Sequence, residues 1–438
     1  MKKRFAVRLA ACFTVFAVCS AALAAQATVL TIEDAVQMAF NNNISLERNA
    51  LTLQGLERAK NHAWNSFSPS LSVGGGFQMP NKPAAQGLPY DYALYGQAAV
   101  GFNISPALIA AIKTASLQFE AGELSFNEAV RSIELSVRQA FYGLLYERAY
   151  IEQQERSLET ARQQYEQNRR QYQAGRISEL DVLAAQVNYE QIKPSLESAR
   201  TSYMNNMDLF KILIGMDVQE EVELDGTLDD FLSLGEIVLN PEEIRPPAIT
   251  LLEKQLETAR STLTATRLYS YGPTINLSWG WQPTATNADE FKNWDDHGSL
   301  SIGLSVPLDC YLPWSSAADS IADAKDAVTD LELQLEDTKL NVGSNIASYL
   351  RQVNVSRSSI ETCNANVNLA RKSYELALEA YNRGARDFLS LQDASDTLFE
   401  AEVALLSATY NLSVTILNLE NTTGIPFGTF IKNQGLEE

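Results

Sequence analysis

The chain has 438 residues, 54 acidic against 34 basic, and a formal net charge of −20. That balance excludes nucleic-acid binding, which needs a basic face, and two cysteines outside the first 27 residues exclude a disulfide scaffold. No apolar run of 18 residues follows residue 27, so a membrane-spanning helix is not expected and any span has to be a β-barrel.

Residues 1–27 read as a secretory signal peptide. Lys2, Lys3, Arg4 and Arg8 form a basic start, Leu9 to Val18 an apolar run, and Ala22-Leu23-Ala24 a small-residue cleavage site. Loss of those four basic residues takes the net charge from −20 to −24. Phe16-Ala17-Val18 is a poor lipobox for lipidation of Cys19.

The rest is a tandem duplication. A shift of 209 residues lays Tyr172 on Tyr381, Gly175 on Gly384, Leu180 on Leu389 and Gly215 on Gly424. The first module, residues 28–215, opens with a helix capped by Thr31 and stopped near Phe67 by Pro69. Two strands follow at 70–77 and 96–105, then a long helix at 107–174 and a returning helix at 177–213. An acidic linker, 216–245, precedes the second module, 246–424. Its strands fall at 273–282 and 298–306, its long helix at 315–383 and its returning helix at 386–419. Residues 425–438 form a tail.

The strands alternate. Leu71, Val73 and Phe77, then Leu300, Ile302 and Leu304, are apolar, and the residues between them are small or polar. Period two fits either a soluble half-buried sheet or a barrel wall. Phe77, Tyr90, Tyr92, Tyr95, Trp279, Trp281, Phe291 and Trp294 lie near strand ends, as a membrane girdle would. The long helices would span on the order of 100 Å each. Val182, Tyr189, Leu196, Tyr203 and Phe210 recur every seven residues, as do Leu391, Leu398, Leu405, Leu412 and Leu419, which argues coiled-coil seams. Pro194 can kink the first returning helix without ending it. Four strands cannot close a barrel alone, so two chains would supply eight or three chains twelve.

Leu30-Thr31-Ile32-Glu33-Asp34-Ala35, Ser68-Pro69-Ser70-Leu71 and the repeated Tyr-x6-Tyr-x2-Gly turn resemble the TolC-like outer-membrane efflux protein family across the mature chain. The resemblance implies a mainly α protein with a membrane β-barrel: a homotrimer with a twelve-stranded barrel in outer-membrane lipid and a long periplasmic α-helical tunnel. It implies a non-catalytic, cofactor-free exit duct partnered by a periplasmic adaptor and an inner-membrane pump. It also implies a periplasmic gate, with Asp181, Tyr381 and Arg386 as the latch; Leu180 stands where a small hydroxyl residue is often found. Ser390 and Asp393 occupy the family's constriction positions, with Asp396 one turn on. At 100° per residue Asp393 and Asp396 lie away from the Leu391 stripe. They read either as acidic lumen rings that attract cations or as a solvated helix face.

His62 and His297 are isolated, and no His-x3-His or Cys-x2-Cys spacing marks a metal site. Cys310 and Cys363 lie too far apart along the chain for a disulfide. Glu220, Glu221, Glu223, Asp225, Asp229 and Asp230 lack the order of a calcium loop and read as a solvated band. No nucleophile with its base is visible. The rival reading is a periplasmic coiled-coil adaptor or scaffold.

Overall fold

A computed structural model describes residues 28–81, 86–88, 90–232, 237, 239 and 244–432. The signal peptide and residues 433–438 lie outside it. In order, the elements are β1 (Thr28–Leu30), α1 (Ile32–Asn42), α2 (Ile44–His62), β2 (Ser70–Gln78), β3 (Ala93–Ile104), α3 (Pro106–Gln173), α4 (Glu179–Ile214) and β4 (Val222–Leu224). Then come α5 (Pro247–Tyr271), β5 (Thr274–Trp281), β6 (Thr284–Thr286), β7 (Gly298–Ser305), α6 (Ser316–Asn382), α7 (Phe388–Thr423) and α8 (Thr429–Lys432). No described helix is long and apolar enough to cross a membrane.

The chain forms two compact units that do not follow the duplication. One takes the residues up to Glu47, Ala129–Pro246 and those from Gly343 on; the other takes Arg48–Glu128 and Pro247–Val342. The repeats pair laterally, strand with strand, so each unit draws on both.

The second unit holds an antiparallel sheet in the order β2-β3-β5-β7, with the short β6 added beside β3. Its register sorts the side chains completely. Leu71 faces Val100, Val100 faces Trp279 and Trp279 faces Leu300, all on one side. Ser72, Ala99, Gly280 and Ser299 form the equivalent row on the other. Neither face of these four strands carries a charged residue. The apolar face is bare: Val73 is 88% exposed and Ile302 74%. Phe77, Tyr92, Trp279, Trp281, Phe291 and Trp294 are exposed with it. Tyr95 belongs to the opposite face, directly over Gly76, where an added Cβ would meet its hydroxyl at 2.7 Å. A side chain at Gly76 would have to displace the Tyr95 ring.

The first unit owns the larger core, with Phe141, Phe210, Phe231, Ile214, Leu412 and Ile416 at its centre. The expected single N-terminal helix is two, α1 and α2. Asn43 explains the break: its Nδ2 donates to the Leu213 carbonyl (2.8 Å), while its Oδ1 accepts from the Ser45 and Leu46 amides. One side chain thus caps the second helix and ties it to α4. The linker is more than a solvated band. Its described acidic side chains are exposed, but Leu224, Leu228 and Phe231 alternate into the core. β4 pairs in parallel with β1, and Arg148 donates to the Leu224 and Gly226 carbonyls at 2.6 and 2.7 Å. α4 runs unbroken through Pro194.

α7 ends at Gly424, in the left-handed region, and the chain turns back onto it. Glu420, fully buried, accepts from the Gly428 and Phe430 amides at 3.0 and 3.3 Å. Arg131 donates to the Glu420 and Ile425 carbonyls and lies over the Phe427 ring at 4.7 Å. Burial outweighs these hydrogen bonds and Arg138, and raises the Glu420 carboxyl to about 7. A carboxyl raised on folding binds its proton more tightly in the folded state. Its stabilising contribution is therefore complete below the ordinary carboxylate range and lost as pH rises to about 7. The difference in melting free energy between wild type and Glu420→Gln should change by up to roughly 3 kcal/mol between pH 7.5 and 4.5, favouring wild type as pH falls. A pH-independent difference in thermal melts would refute this.

Candidate functional site: the helical tip

The two hairpin turns, α3 to α4 and α6 to α7, are built alike. Gly175 (φ 69°) and Gly384 (φ 71°) stand just past their long helices in the left-handed region. Gly175 N donates to the Tyr172 carbonyl and Arg176 N to that of Gln171; Gly384 N and Ala385 N do the same to Tyr381 and Ala380. These paired bonds are the Schellman closure, which a Cβ would strain.

The returning helices are each capped by a serine–aspartate pair whose members have exchanged places between repeats. At α4, Ser178 is the cap and Asp181 the third helical residue. Asp181 N donates to Ser178 Oγ, and Asp181 Oδ2 accepts from Ser178 N (3.2 Å) and Oγ (2.7 Å). At α7, Asp387 is the cap and Ser390 the third residue, with Ser390 N and Oγ donating to Asp387 Oδ1. Those bonds hold the Asp387 carboxyl below its ordinary range. The 209-residue shift lays Ser178 on Asp387 and Asp181 on Ser390. In both, a side-chain oxygen of the cap residue accepts the third residue's amide, and at α4 Asp181 also reaches back to the amide of its cap.

This accounts for two expected site residues. The Asp181 carboxylate is engaged by its own cap, and Ser390 is a cap partner. Arg386 is exposed in the turn, and among the described residues it makes no salt bridge with Asp181. Tyr381 is buried in a small core with Ala185, Phe388 and Leu391, its ring against Phe388 at 6.0 Å. Burial and the Asp181 charge both raise its phenol above the ordinary value.

The residue that joins these parts is Asn168, fully buried on α3. Tyr381 Oη donates to Asn168 Oδ1 at 2.5 Å, and Asn168 Nδ2 donates to the Asp181 carbonyl at 3.3 Å. Asn168 thus links α6 to the start of α4. Beside it, Gln167 Nε2 donates to Asn382 Oδ1 at 2.9 Å. A signal for Asn168 exists in the sequence: Gln154, Ala161 and Asn168 recur every seven residues and all are buried. A polar residue at such a seam position fixes register.

Asp393 and Asp396 are exposed on α7, one turn apart, away from buried Leu391. Although its surface is open, Asp396 is crowded. Partial desolvation, then the Asp393 and Glu400 charges, raise its carboxyl above the ordinary value. No group of metal-ligating side chains is assembled among the described residues.

The outer membrane efflux protein model matches residues 21–209 and 242–425, and the chain belongs to that family. Membership places it in the outer membrane. It is 22% identical over 324 residues to the outer membrane protein TolC of Escherichia coli strain K12. That alignment covers 69% of this chain and 63% of TolC's length. In fold it is similar to the Campylobacter jejuni CmeC outer membrane channel, with TM-score 0.78, 16% identity, 90% of this chain and 85% of that one. A Pseudomonas aeruginosa membrane protein gives TM-score 0.78 at 18% identity, covering 90% and 92%.

Replacing Asn168 with Ala leaves a buried phenol without its acceptor, a loss of about 1–3 kcal/mol. Amide hydrogen exchange around 168–182 and 378–390 should accelerate, while the core about Phe210 keeps its protection. Unchanged exchange at the tip would show that Asn168 ties nothing.

Proposed function

We propose that this chain is one protomer of a homotrimeric exit duct, a passive and non-enzymatic conduit of an efflux or secretion assembly. The observation that carries it is the four-stranded sheet of the second unit: charge-free on both faces, apolar on one, and open at both edges. Lipid has no hydrogen bonds to offer an open edge, so the sheet has to be closed by other copies. β2 and β7 run antiparallel within one sheet path, so β7 of one copy can pair antiparallel with β2 of the next. Three copies make twelve strands, and the resemblance to TolC-like proteins favours three. A periplasmic adaptor and an inner-membrane pump are the partners this reading requires, since nothing here supplies energy.

The gate we propose is the helical tip. Asn168 and Tyr381 tie the hairpins within a protomer, near Asp181. Arg386, exposed and without a salt bridge to Asp181, is free to reach a neighbouring copy. Three copies of Asp393 and Asp396 would ring the lumen and select cations.

The purified protein in planar bilayers should give low, cation-selective conductance from a trimeric particle. Asn168→Ala or Arg386→Ala should raise that conductance several-fold. A particle that is monomeric, soluble and electrically silent would overturn the duct and favour the adaptor reading. Asp396, its carboxyl raised by partial desolvation and the Asp393 and Glu400 charges, gains its proton at a higher pH than an ordinary carboxyl does. Cation selectivity should therefore begin to decline at higher pH in wild type than in Asp396→Asn, which starts lower and stays flatter. Reversal potentials measured across a pH series would read this directly, and identical pH profiles would exclude Asp396 from the ion path.

A further inference from the structure

The sheet's two open edges carry more than backbone. β2 (SLSVGGGFQ) and β7 (GSLSIGLS) contain no charge and no proline. Those are among the devices by which exposed edges avoid pairing. The chain segments that join these edges to their helices carry large exposed apolar side chains, with Asp309 the one charged residue in their sequence. Before β2, Trp64 is 59% exposed and Phe67 36%. After β7 come Val306, Leu308, Tyr311 and Trp314, the last 77% exposed. This second segment is preformed. Cys310 is buried beneath it and donates to the Pro307 carbonyl, while Tyr311 packs on Tyr271 at 5.2 Å.

Strand direction decides where the two segments meet. β2 begins at the helix-bearing end of the sheet and β7 finishes there, because the antiparallel order alternates across four strands. When β7 of one copy pairs with β2 of the next, the end of the first lies beside the start of the second. We propose that Val306–Trp314 of one protomer packs against Trp64 and Phe67 of its neighbour. Repeated around the ring, this contact forms an apolar collar where the barrel passes into the tunnel. The occupant of the exposed patch is thus a second copy of this chain. The inference rests on the duct reading, which provides the closed ring. The collar shuts the seam between protomers at the level where strand-to-strand hydrogen bonding ends and helices have not yet taken over.

The full chain carrying Trp64→Cys and Tyr311→Cys, or Phe67→Cys and Leu308→Cys, with Cys310 and Cys363 changed to Ala, should cross-link in outer membranes with a short bis-maleimide. Denaturing gels should show monomer lost to dimer and trimer bands, and each single-cysteine variant should stay monomeric. Variants with Trp64 or Trp314 as the sole tryptophan provide a second reading on otherwise intact protein. Their fluorescence should be quenched by brominated lipid much less than that of sole Trp279 on the lipid face. A trimer by native mass, without cross-links and with Trp64 and Trp314 quenched as strongly as Trp279, would assign the patch to lipid and overturn the collar alone. A monomer would overturn the collar together with the duct.

Discussion

Everything in the strand-bearing unit follows from the rule that hydrocarbon satisfies no backbone hydrogen bond. A soluble protein could leave β2 and β7 to water, or guard them with lysine or proline. Here the strands carry neither, and their outward side chains are Leu, Val, Ile, Phe and Trp. The opposite face is small or polar apart from Tyr95. A sheet with one face suited to lipid and one to water has no stable existence as a single copy. The duct reading takes it as a fraction of a barrel whose remainder comes from identical chains.

Helical order depends on a different economy of polar groups. The ends of long helices leave amides and carbonyls unpaired, and this chain meets each end with a specific device. Left-handed glycines close α3 and α6, and serine–aspartate pairs open α4 and α7. Asn43 caps one helix while holding another, and Glu420 gathers the amides of the returning C-terminal turn. The last of these is costly, because the carboxyl is buried deeply enough to rise to about 7. The core around Phe141 and Phe210 supplies the packing against which such a cost can be carried.

The repeats, the long helices and the alternation of the strands were legible because each is periodic over many residues. The sheet's register was not, and it matters most at Tyr95, whose place beside other aromatics concealed that it points to the opposite face over Gly76. The break at Asn43 was hidden for a similar reason: Asn41-Asn42-Asn43 is helix-compatible locally, and only the distant Leu213 carbonyl reveals what the third asparagine does. At the tip, matching to a family pattern pointed to Asp181 and Arg386. The capping box that occupies Asp181 was readable in Ser178-Glu179-Leu180-Asp181 itself. Asn168 could have been found from the seven-residue spacing that it shares with Gln154 and Ala161.

The duplication makes one asymmetry informative. The 209-residue shift that carries Tyr172 onto Tyr381 carries Asn168 onto Ala377. The second long helix therefore offers Tyr172 no amide partner at the equivalent place, and Tyr172 is 43% exposed where Tyr381 is buried. The two hairpins share their turns and, with acid and hydroxyl exchanged, their caps. They do not share the link between them. A tip with two such links would be held at two points and would have to lose both to move. With the Tyr381–Asn168 bond made once per protomer, and the nearby Gln167–Asn382 bond exposed to water, the proposed gate would swing one hairpin against the other about one buried polar contact, and the folded turns need not change. Strong local closure at each turn and a lone buried link between turns is the division of labour expected of a part that moves as a rigid body.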